Sequence, residues 1–246
     1  MKPLNVLVVD DSRSSRLMIK NSLKDMEVVF GKVDEADNGE NAVAKFKQAK
    51  YDLVLMDIHM PKMDGYQATQ AIRLWESKMG HARTPIIALT AMDASQAAVK
   101  TKEAGFSACC SKPVKRATLE QAIKKASSCG PMDGDGFEVI KESGGLMGRL
   151  FGKGDAGMEQ DSLKDLRSTF LVEKQREAKD AMAALDNGDM QVVNLIAYRL
   201  KGEGANYGFS KVSDYGAELA NAAESLDIKT ARKVTQKLQE YLTAQQ

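Results

Sequence analysis

Acidic, hydroxyl and ammonium side chains stand at the ends of apolar segments in the first half of the chain. Asp10 and Asp11 follow "LNVLVV", Asp57 follows "DLVLM", Thr90 follows "PIIAL" and Lys112 follows "SACCS". Short apolar runs that alternate with helical patterns indicate parallel strands, and the carboxyl ends of such strands meet at one edge of a sheet. The spacing therefore predicts three carboxylates, one hydroxyl and one ammonium group in a single site.

This combination of groups is suited to phosphoryl chemistry. Crowded carboxylates repel one another, and the site therefore needs a cation to remain ionised. Oxygen-only ligands favour Mg²⁺, which keeps several waters and bridges to phosphate. A carboxylate beside Mg²⁺ and a lysine can act as a nucleophile toward a phosphoryl group, because both cations offset the charge that develops in transfer. Each of these residues alone is weak evidence for a phosphoryl-transfer site, but the whole set at the ends of four strands is strong evidence.

The elements that position these groups alternate regularly through residues 1–127. The segments "LNVLVV", "VVFGKV", "DLVLM", "PIIAL" and "SACCS" are typical of buried strands, and an amphipathic helical pattern follows each of them. Five strand–helix units predict a parallel sheet with helices on both faces. Right-handed crossovers then give a doubly wound α/β fold.

Two further regions follow. Residues 128–160 are rich in glycine and lack sustained periodicity, as is typical of a flexible linker. The apolar stretches "FEVI" and "LMGRLF" within it could dock on another part of the protein, but the favoured interpretation is that they are incidental. Residues 161–246 contain four amphipathic patterns with short connections, which predict an antiparallel four-helix bundle. Asp189, Ser210 and Asp227 are the expected N-caps of its second, third and fourth helices.

Composition narrows the class of protein. The 246 residues are 43% hydrophobic and 28% charged, which is ordinary for a soluble globular protein. A net charge of +1 gives no indication of a nucleic-acid partner, and no apolar run approaches the roughly 20 residues of a membrane span. The N-terminus does not read as a signal peptide. The cysteines suggest no metal site or disulfide set, so we expect a cytoplasmic protein with reduced thiols.

The segments "VLVVDDS", "LVLMDIHMPKMDG", "ALTA" and "SKPV" closely resemble the receiver domain of bacterial two-component response regulators, over about residues 4–127. The resemblance implies a flavodoxin-like sheet with strand order 2-1-3-4-5. It also implies that Asp57 is the phosphoacceptor, with a histidine kinase or phosphotransfer protein as donor. The implied Mg²⁺ ligands are Asp11 directly, Asp10 through water, Asp57, and the main-chain carbonyl of His59.

The same resemblance assigns the residues that respond to phosphorylation. Thr90 would hydrogen-bond the phosphate and Lys112 would pair with it. The family usually has an aromatic switch residue three positions before the lysine, where this chain has Cys109. A thiol cannot make the rotation that reports phosphorylation, so we expect signalling to depend on Thr90 and the fourth helix. His59 could carry protons during hydrolysis of the acyl phosphate, or it could be an exposed residue without a role.

The segment "AYRLKGEGANYG" resembles the active helix of histidine phosphotransfer (HPt) domains, in a match that covers about residues 161–246. Lys201, Gly202 and Gly208 occupy matching places, whereas Tyr198 stands where the reactive histidine belongs. A tyrosine hydroxyl with a pKa of about 10 is protonated at pH 7, so we expect no phosphotransfer through this domain. We expect Tyr198 and Lys201 to project outward beside a shallow, glycine-lined binding surface. A frayed, glycine-rich helix end is the alternative interpretation.

Together these patterns predict a two-component response regulator with a binding output module. The protein is expected to be no enzyme beyond catalysis of its own phosphorylation and dephosphorylation. The bundle would bind a partner protein or dock intramolecularly on the receiver, without contacts to nucleic acid or membrane. Two alternatives stay open: a phosphate sink for a kinase, and a bundle that acts as a dimerisation module.

Overall fold

The computed structural model describes residues 3–24, 26, 28–92, 94–112, 114, 116–128, 137–140 and 160–245. The chain divides into two compact units, Met1–Leu150 and Phe151–Gln246, which we call the first and second units. The predicted linker, residues 128–160, lies outside the described residues except for residue 128, residues 137–140 and residue 160. None of the described helices is long and apolar enough to cross a membrane.

The first unit contains a parallel sheet whose strands lie in the order β2-β1-β3-β4-β5-β6. The first five strands follow the predicted order, and the sixth is an addition. The strands are β1 (Leu4–Val9), β2 (Phe30–Ala36), β3 (Leu53–Asp57), β4 (Ile86–Thr90), β5 (Ala108–Ser111) and β6 (Glu138–Ile140).

Helices cover both faces of this sheet. Side chains alternate along each strand, so that Leu7 and Val9 join one hydrophobic cluster with α2, α3 and α4, whereas Val6 and Val8 join a second with α1 and α5. The central strands are buried on both faces, as parallel strands between helices must be. The helices are α1 (Arg13–Lys24), α2 (Gly39–Gln48), α3 (Gly65–Met79), α4 (Ala94–Ala104) and α5 (Arg116–Ser128).

The sixth strand corrects the interpretation of "FEVI" as incidental linker sequence. β6 pairs in parallel with β5, in a register that places Val139 opposite Cys109 and Ile140 opposite Cys110. Ile140 is only 3% exposed. The apolar residues of this segment are therefore part of the core, and the sheet has six strands rather than the predicted five.

The second unit is helical throughout its described residues. α6 contacts α7 and α9, and α8 contacts α7 and α9. Asp189 and Asp227 cap α7 and α9 by accepting backbone N–H bonds, as predicted. The prediction for Ser210 was wrong, because Ser210 is the first residue of α8 and Phe209 precedes it without a side-chain cap. The elements are α6 (Gln160–Asp186), α7 (Met190–Glu203), a 3₁₀ turn (Gly204–Tyr207), α8 (Ser210–Glu224) and α9 (Ile228–Thr243).

Candidate functional site

The polar residues predicted at the strand ends converge in the first unit. The Lys112 ammonium lies 2.7 Å from Asp10 Oδ2 and 2.8 Å from Asp57 Oδ2. All three side chains are buried, with 5% of the Lys112 side chain exposed. Asp57 is the last residue of β3, and Lys112 follows the last residue of β5. Buried charges are retained only where they are paired, and this lysine therefore holds the two carboxylates together.

Asp11 completes a cluster of acids at this edge. Ligand oxygens of Asp10, Asp11 and Asp57 all lie within 4.8 Å of one another. Within the part of the chain that the structure describes, the three carboxylates of this cluster outnumber the one ammonium that pairs with them, Lys112, and like charges so close repel one another. The donors are all oxygens and one carboxylate is half-buried, which fits a hard divalent cation that retains water ligands, as Mg²⁺ does.

Thr90 ends β4 on the side of the site that faces β5. Its hydroxyl accepts a hydrogen bond from the Met92 amide at 3.1 Å, and its carbonyl accepts one from the Lys112 amide at 2.5 Å. Thr90 is fully buried. The hydroxyl therefore links β4 to the segment that leads into α4, and the carbonyl links it to the end of β5.

His59 lies two residues after the central carboxylate. Its amide donates to Asp57 Oδ1 at 3.2 Å, and its imidazole is largely buried. Burial lowers the pKa of the His59 side chain, which outweighs the attraction of the neighbouring Asp57 carboxylate. His59 is only partly exposed, so the alternative of an exposed histidine is wrong, and its role as a proton carrier stays a prediction. A role for the His59 carbonyl as a metal ligand stays a prediction.

Gly65 fixes the distance between α3 and the site. It is the first residue of α3, and its amide donates to the Ile58 carbonyl at 2.9 Å. A Cβ added there would lie 2.2 Å from the Asp57 carbonyl oxygen, which is far inside van der Waals contact. Only glycine permits the helix to begin so close to the strand that carries Asp57.

Cys109 occupies the place where an aromatic switch residue was expected, and it lies in the core. It is fully buried in the hydrophobic cluster that also contains Tyr66, Ala97 and Phe106. Phe137 and Val139, next to and within β6, pack against the same cluster. The sequence shows that a small residue stands at this position, but it did not indicate that a later segment of the chain packs against the same cluster.

Tyr198, in the second unit, is buried, whereas the sequence predicted that it projects outward. The residue is 9% exposed, and its hydroxyl donates to the Glu224 carboxylate on α8. Burial, reinforced by this hydrogen bond, raises the pKa of Tyr198 to about 12. Its hydroxyl is therefore an even weaker nucleophile than a free tyrosine. The half-exposed Lys201 places its ammonium 5.7 Å from the centre of the Tyr198 ring.

The glycines near Tyr198 differ in their surroundings. Gly202 is buried within α7. Gly216 of α8 lies so close to α7 that an added Cβ would stand 2.2 Å from the Lys201 amide nitrogen. Gly208 has a φ of 80° and ends the 3₁₀ turn, a left-handed position that glycine adopts without strain. The shallow, glycine-lined surface predicted here is therefore wrong for Gly202.

A buried cluster of charges in the second unit was missed from the sequence. Lys174 is fully buried and lies 3.0 Å from Glu177 and 2.5 Å from Glu203. Arg199 pairs with Glu177 at 3.1 Å. The carboxylates raise the pKa of Lys174 against the opposing effect of burial. The available signal was the spacing of these charges on the inward stripes of α6 and α7.

Comparison with known proteins identifies the first unit. Residues 6–124 match the family model of the response regulator receiver domain. Sensor protein GacS of Pseudomonas syringae pv. syringae is 38% identical over 120 residues, which are 49% of this chain and 13% of that protein. Sensor protein EvgS of Escherichia coli is 26% identical over 203 residues, or 81% of this chain and 15% of that protein. The chain thus spans about one seventh of the length of these relatives.

Solved structures resemble about half of the chain. The receiver domain of sensor histidine kinase PA1611 from Pseudomonas aeruginosa, with magnesium in its active-site cleft, is 30% identical. The match covers 52% of this chain and 100% of that one, with a TM-score of 0.45. The complex of Ypd1 with the receiver domain of Ssk1 from Saccharomyces cerevisiae gives 26% identity, coverage of 53% and 92%, and a TM-score of 0.48.

Proposed function

Because residues 6–124 are a response regulator receiver domain, we propose that Asp57 accepts a phosphoryl group in two-component signalling. The donor would be a phosphohistidine of a histidine kinase or phosphotransfer protein. The observation that carries this proposal is the position of the Asp57 carboxylate beside Asp10, Asp11 and Lys112. We further propose that the second unit is an HPt-like, four-helix binding module that does not transfer phosphate.

The chemistry follows from the contacts of Asp57. One carboxylate oxygen attacks the phosphorus atom of the donor, so that an O–P bond forms while the P–N bond of the phosphohistidine breaks. The electron pair of the broken bond remains on the donor imidazole. Lys112 contacts Asp57 at 2.8 Å and can follow the phosphoryl oxygens as their charge develops. Thr90, at the end of the adjacent strand, can donate a hydrogen bond from its hydroxyl group to one of these oxygens.

A divalent cation completes the site in this proposal. Asp10, Asp11 and Asp57 would hold Mg²⁺, with the His59 carbonyl as a further ligand. When bound, Mg²⁺ neutralises charge on the phosphoryl oxygens and orients them for in-line displacement. Asp10 has a second task, because it shares the Lys112 ammonium with Asp57 and keeps that ammonium directed at the site.

The proposal that the second unit binds instead of transferring phosphate is supported by Tyr198. Its hydroxyl is buried against Glu224, and its raised pKa removes the nucleophilicity that transfer requires. Residues 160–245 contain no histidine that could substitute for it. The EvgS alignment of 203 residues is longer than the first unit and must extend into the second, so the two regions also follow one another in a sensor protein.

A receiver cleft is the partner that suits this module best. Lys201 is half-exposed beside Tyr198 and offers a cation to an acidic surface. The cluster around Asp57 has more carboxylates than ammonium groups, and its charge is therefore complementary. The receiver of this chain and the receiver of a partner protein are both candidates for that contact, and a receiver that hydrolyses phosphate as a sink is the alternative role.

The proposed function is tested by phosphorylating the full chain with acetyl phosphate and Mg²⁺. Intact mass measures the added phosphoryl group, and protease cleavage between the two units assigns it. We expect base-labile phosphate on the first unit only, which Asp57→Asn abolishes. Asp52→Asn is the matched control, because Asp52 precedes the opposite end of the same strand. That variant should be phosphorylated at the rate of the unaltered protein.

Two results would contradict the proposal. Equal phosphorylation of the Asp57→Asn and unaltered proteins would exclude Asp57 as acceptor. Stable phosphate on the second unit, at Tyr198, would show that this unit performs chemistry. A concentration-dependent mass of the full chain in sedimentation would instead favour the dimerisation alternative for the second unit.

A further inference from the structure

The edge of β5 is closed by a strand that comes from beyond α5. β6 spans only Glu138–Ile140, and it pairs with β5 in parallel over Ala108, Cys109 and Cys110. α4 and α5 both contact it. The groove between these helices, with β5 at its base, is thereby filled by the chain itself.

The side chains of this segment reach the cores on both sides of the sheet. Phe137 and Val139 pack against the cluster that contains Cys109 and Ala97 of α4. Ile140 belongs to the opposite cluster, which contains Cys110 and residues of α5. The small Cys109 leaves this place free of an aromatic side chain of its own, and Phe137 supplies an aromatic ring to the same cluster.

A chain of contacts leads from the acidic site to this strand. The Thr90 hydroxyl accepts a hydrogen bond from the Met92 amide, and this bond fixes the segment that leads into α4. α4 in turn contributes Ala97 to the cluster on which Phe137 and Val139 lie. Rotation of the Thr90 hydroxyl toward a phosphate on Asp57 would weaken the Met92 bond and loosen α4 at its start.

We propose that β6 is a releasable strand, which stays paired with β5 while Asp57 is unmodified and detaches when Asp57 is phosphorylated. Its release exposes the groove between α4 and α5 as the output surface of the receiver. This inference rests on the proposed phosphorylation of Asp57. In this proposal, the segment around Phe137 and Val139 reports phosphorylation, in place of an aromatic residue at the position of Cys109.

The small size of β6 makes such a release feasible. A three-residue edge strand has one neighbour in the sheet and few backbone hydrogen bonds, and such elements open at low free-energy cost. A modest change in the packing of α4 can therefore shift the population of the detached form. Couplings between sites commonly change an equilibrium by about 5–150-fold.

The thiols of β5, the strand that pairs with β6, provide the measurement. Cys109 and Cys110 are both fully buried, and burial raises the pKa of the Cys110 thiol to about 12. In a Cys129→Ser background, only these two thiols remain to react with a maleimide. We expect the labelling rate of the full chain to rise about tenfold once Asp57 is phosphorylated, within the usual range of coupling. Intact mass follows phosphate and label in the same sample.

Asp57→Asn in the same background is the control, and the phosphodonor should leave its labelling rate unchanged. Labelling that stays slow in molecules that carry the phosphoryl group would overturn the release of β6 and leave the proposed function intact. Absence of phosphate on Asp57 would overturn both. Fast labelling in Asp57→Asn protein treated with the donor would show that release does not depend on phosphate.

A pair of variants tests whether β6 is the cover. Ile140→Asp places a charge in the core cluster and should label fast without phosphate, provided that Trp75 fluorescence shows a folded receiver. Phe137→Ala is milder and should give an intermediate rate. If both variants label as slowly as the unaltered protein, β6 does not protect the thiols and the inference fails.

Discussion

The two units each contain a cluster of charged side chains, and the clusters differ in their balance of charge. At the receiver site, Asp10, Asp11 and Asp57 lie together, and the Lys112 ammonium pairs with Asp10 and Asp57. In the helical unit, two cations and two carboxylates neutralise one another: Lys174, Arg199, Glu177 and Glu203. Among the described residues, the first cluster therefore groups three carboxylates around one paired ammonium, whereas the second contains equal numbers of positive and negative groups.

This difference separates a reactive site from a structural one. A cluster with more carboxylates than cations can bind a metal ion. Its fixed charges can then stabilise the negative charge that develops on a phosphoryl group during transfer. A balanced, buried cluster has already satisfied its charges, and its members depend on one another for burial. Burial and proximity are common to both clusters and do not distinguish them.

The largest effect is expected from removing one cation of the balanced cluster. Lys174→Met leaves Glu177 and Glu203 buried with less compensation, and breaking such a pair costs about 3–5 kcal/mol. Far-UV circular dichroism during urea unfolding should show helix lost at lower denaturant, while Trp75, in the first unit, reports an unchanged receiver. Lys179→Met is the matched control, because Lys179 is an exposed lysine of α6. Equal stability of both variants would show that the cluster does not hold the unit together.

Removing the cation of the unbalanced cluster should affect rate more than stability. Lys112→Met deletes the ammonium beside Asp57, and loss of one such stabilising group lowers a rate by about 10²–10³-fold. The initial rate of phosphorylation by acetyl phosphate is the measurement, with the exposed Lys102→Met as control. An unchanged rate would show that Lys112 does not take part in phosphoryl transfer, and the two clusters would then not differ in function as we infer.

The smallest effect is expected at the Tyr198 hydroxyl, which donates to the Glu224 carboxylate. Glu224 is exposed, so we expect Tyr198→Phe to lower the free energy of unfolding by about 1 kcal/mol or less. The pKa of Tyr198 is raised from 10.0 to about 12, so the protonated hydroxyl stabilises the fold below pH 10. This stability should be lost as the pH rises from 10 to 12, so that the unaltered protein falls toward the stability of Tyr198→Phe and then below it.

Urea unfolding of both proteins at several alkaline pH values gives the comparison. A difference that stays constant across this range would show that the hydroxyl is not buried against Glu224. A difference that grows would mean that folding lowers the pKa of Tyr198, which is the opposite of the expected direction.

The first unit was predictable because its signals are local. Each strand of β1 to β5 is a separate apolar run, and the reactive side chains directly follow these runs in the sequence. Parallel topology then brings the strand ends together without any further information. β6 escaped prediction because three residues give no period, and because their partner, β5, is distant in the chain.

The helical unit was less predictable because its details depend on tertiary contacts. Helical periodicity cannot show that Tyr198 reaches across to Glu224, or that Gly216 permits α8 to approach the backbone at Lys201. The burial of Lys174 is similar, because a lysine on a helix is normally assigned to solvent. Its partners on α7 become visible only when the two helices are packed.

The close approach at Gly65 has a consequence for genetics. A random mutational screen for loss of signalling would return Gly65 substitutions alongside Asp57 substitutions, although glycine has no functional group to lose. Any side chain there pushes α3 away from the carbonyl of Asp57 and shifts the acceptor itself. Such alleles would be suppressed by second mutations that reposition α3, whereas no distant mutation can restore a carboxylate that has been removed.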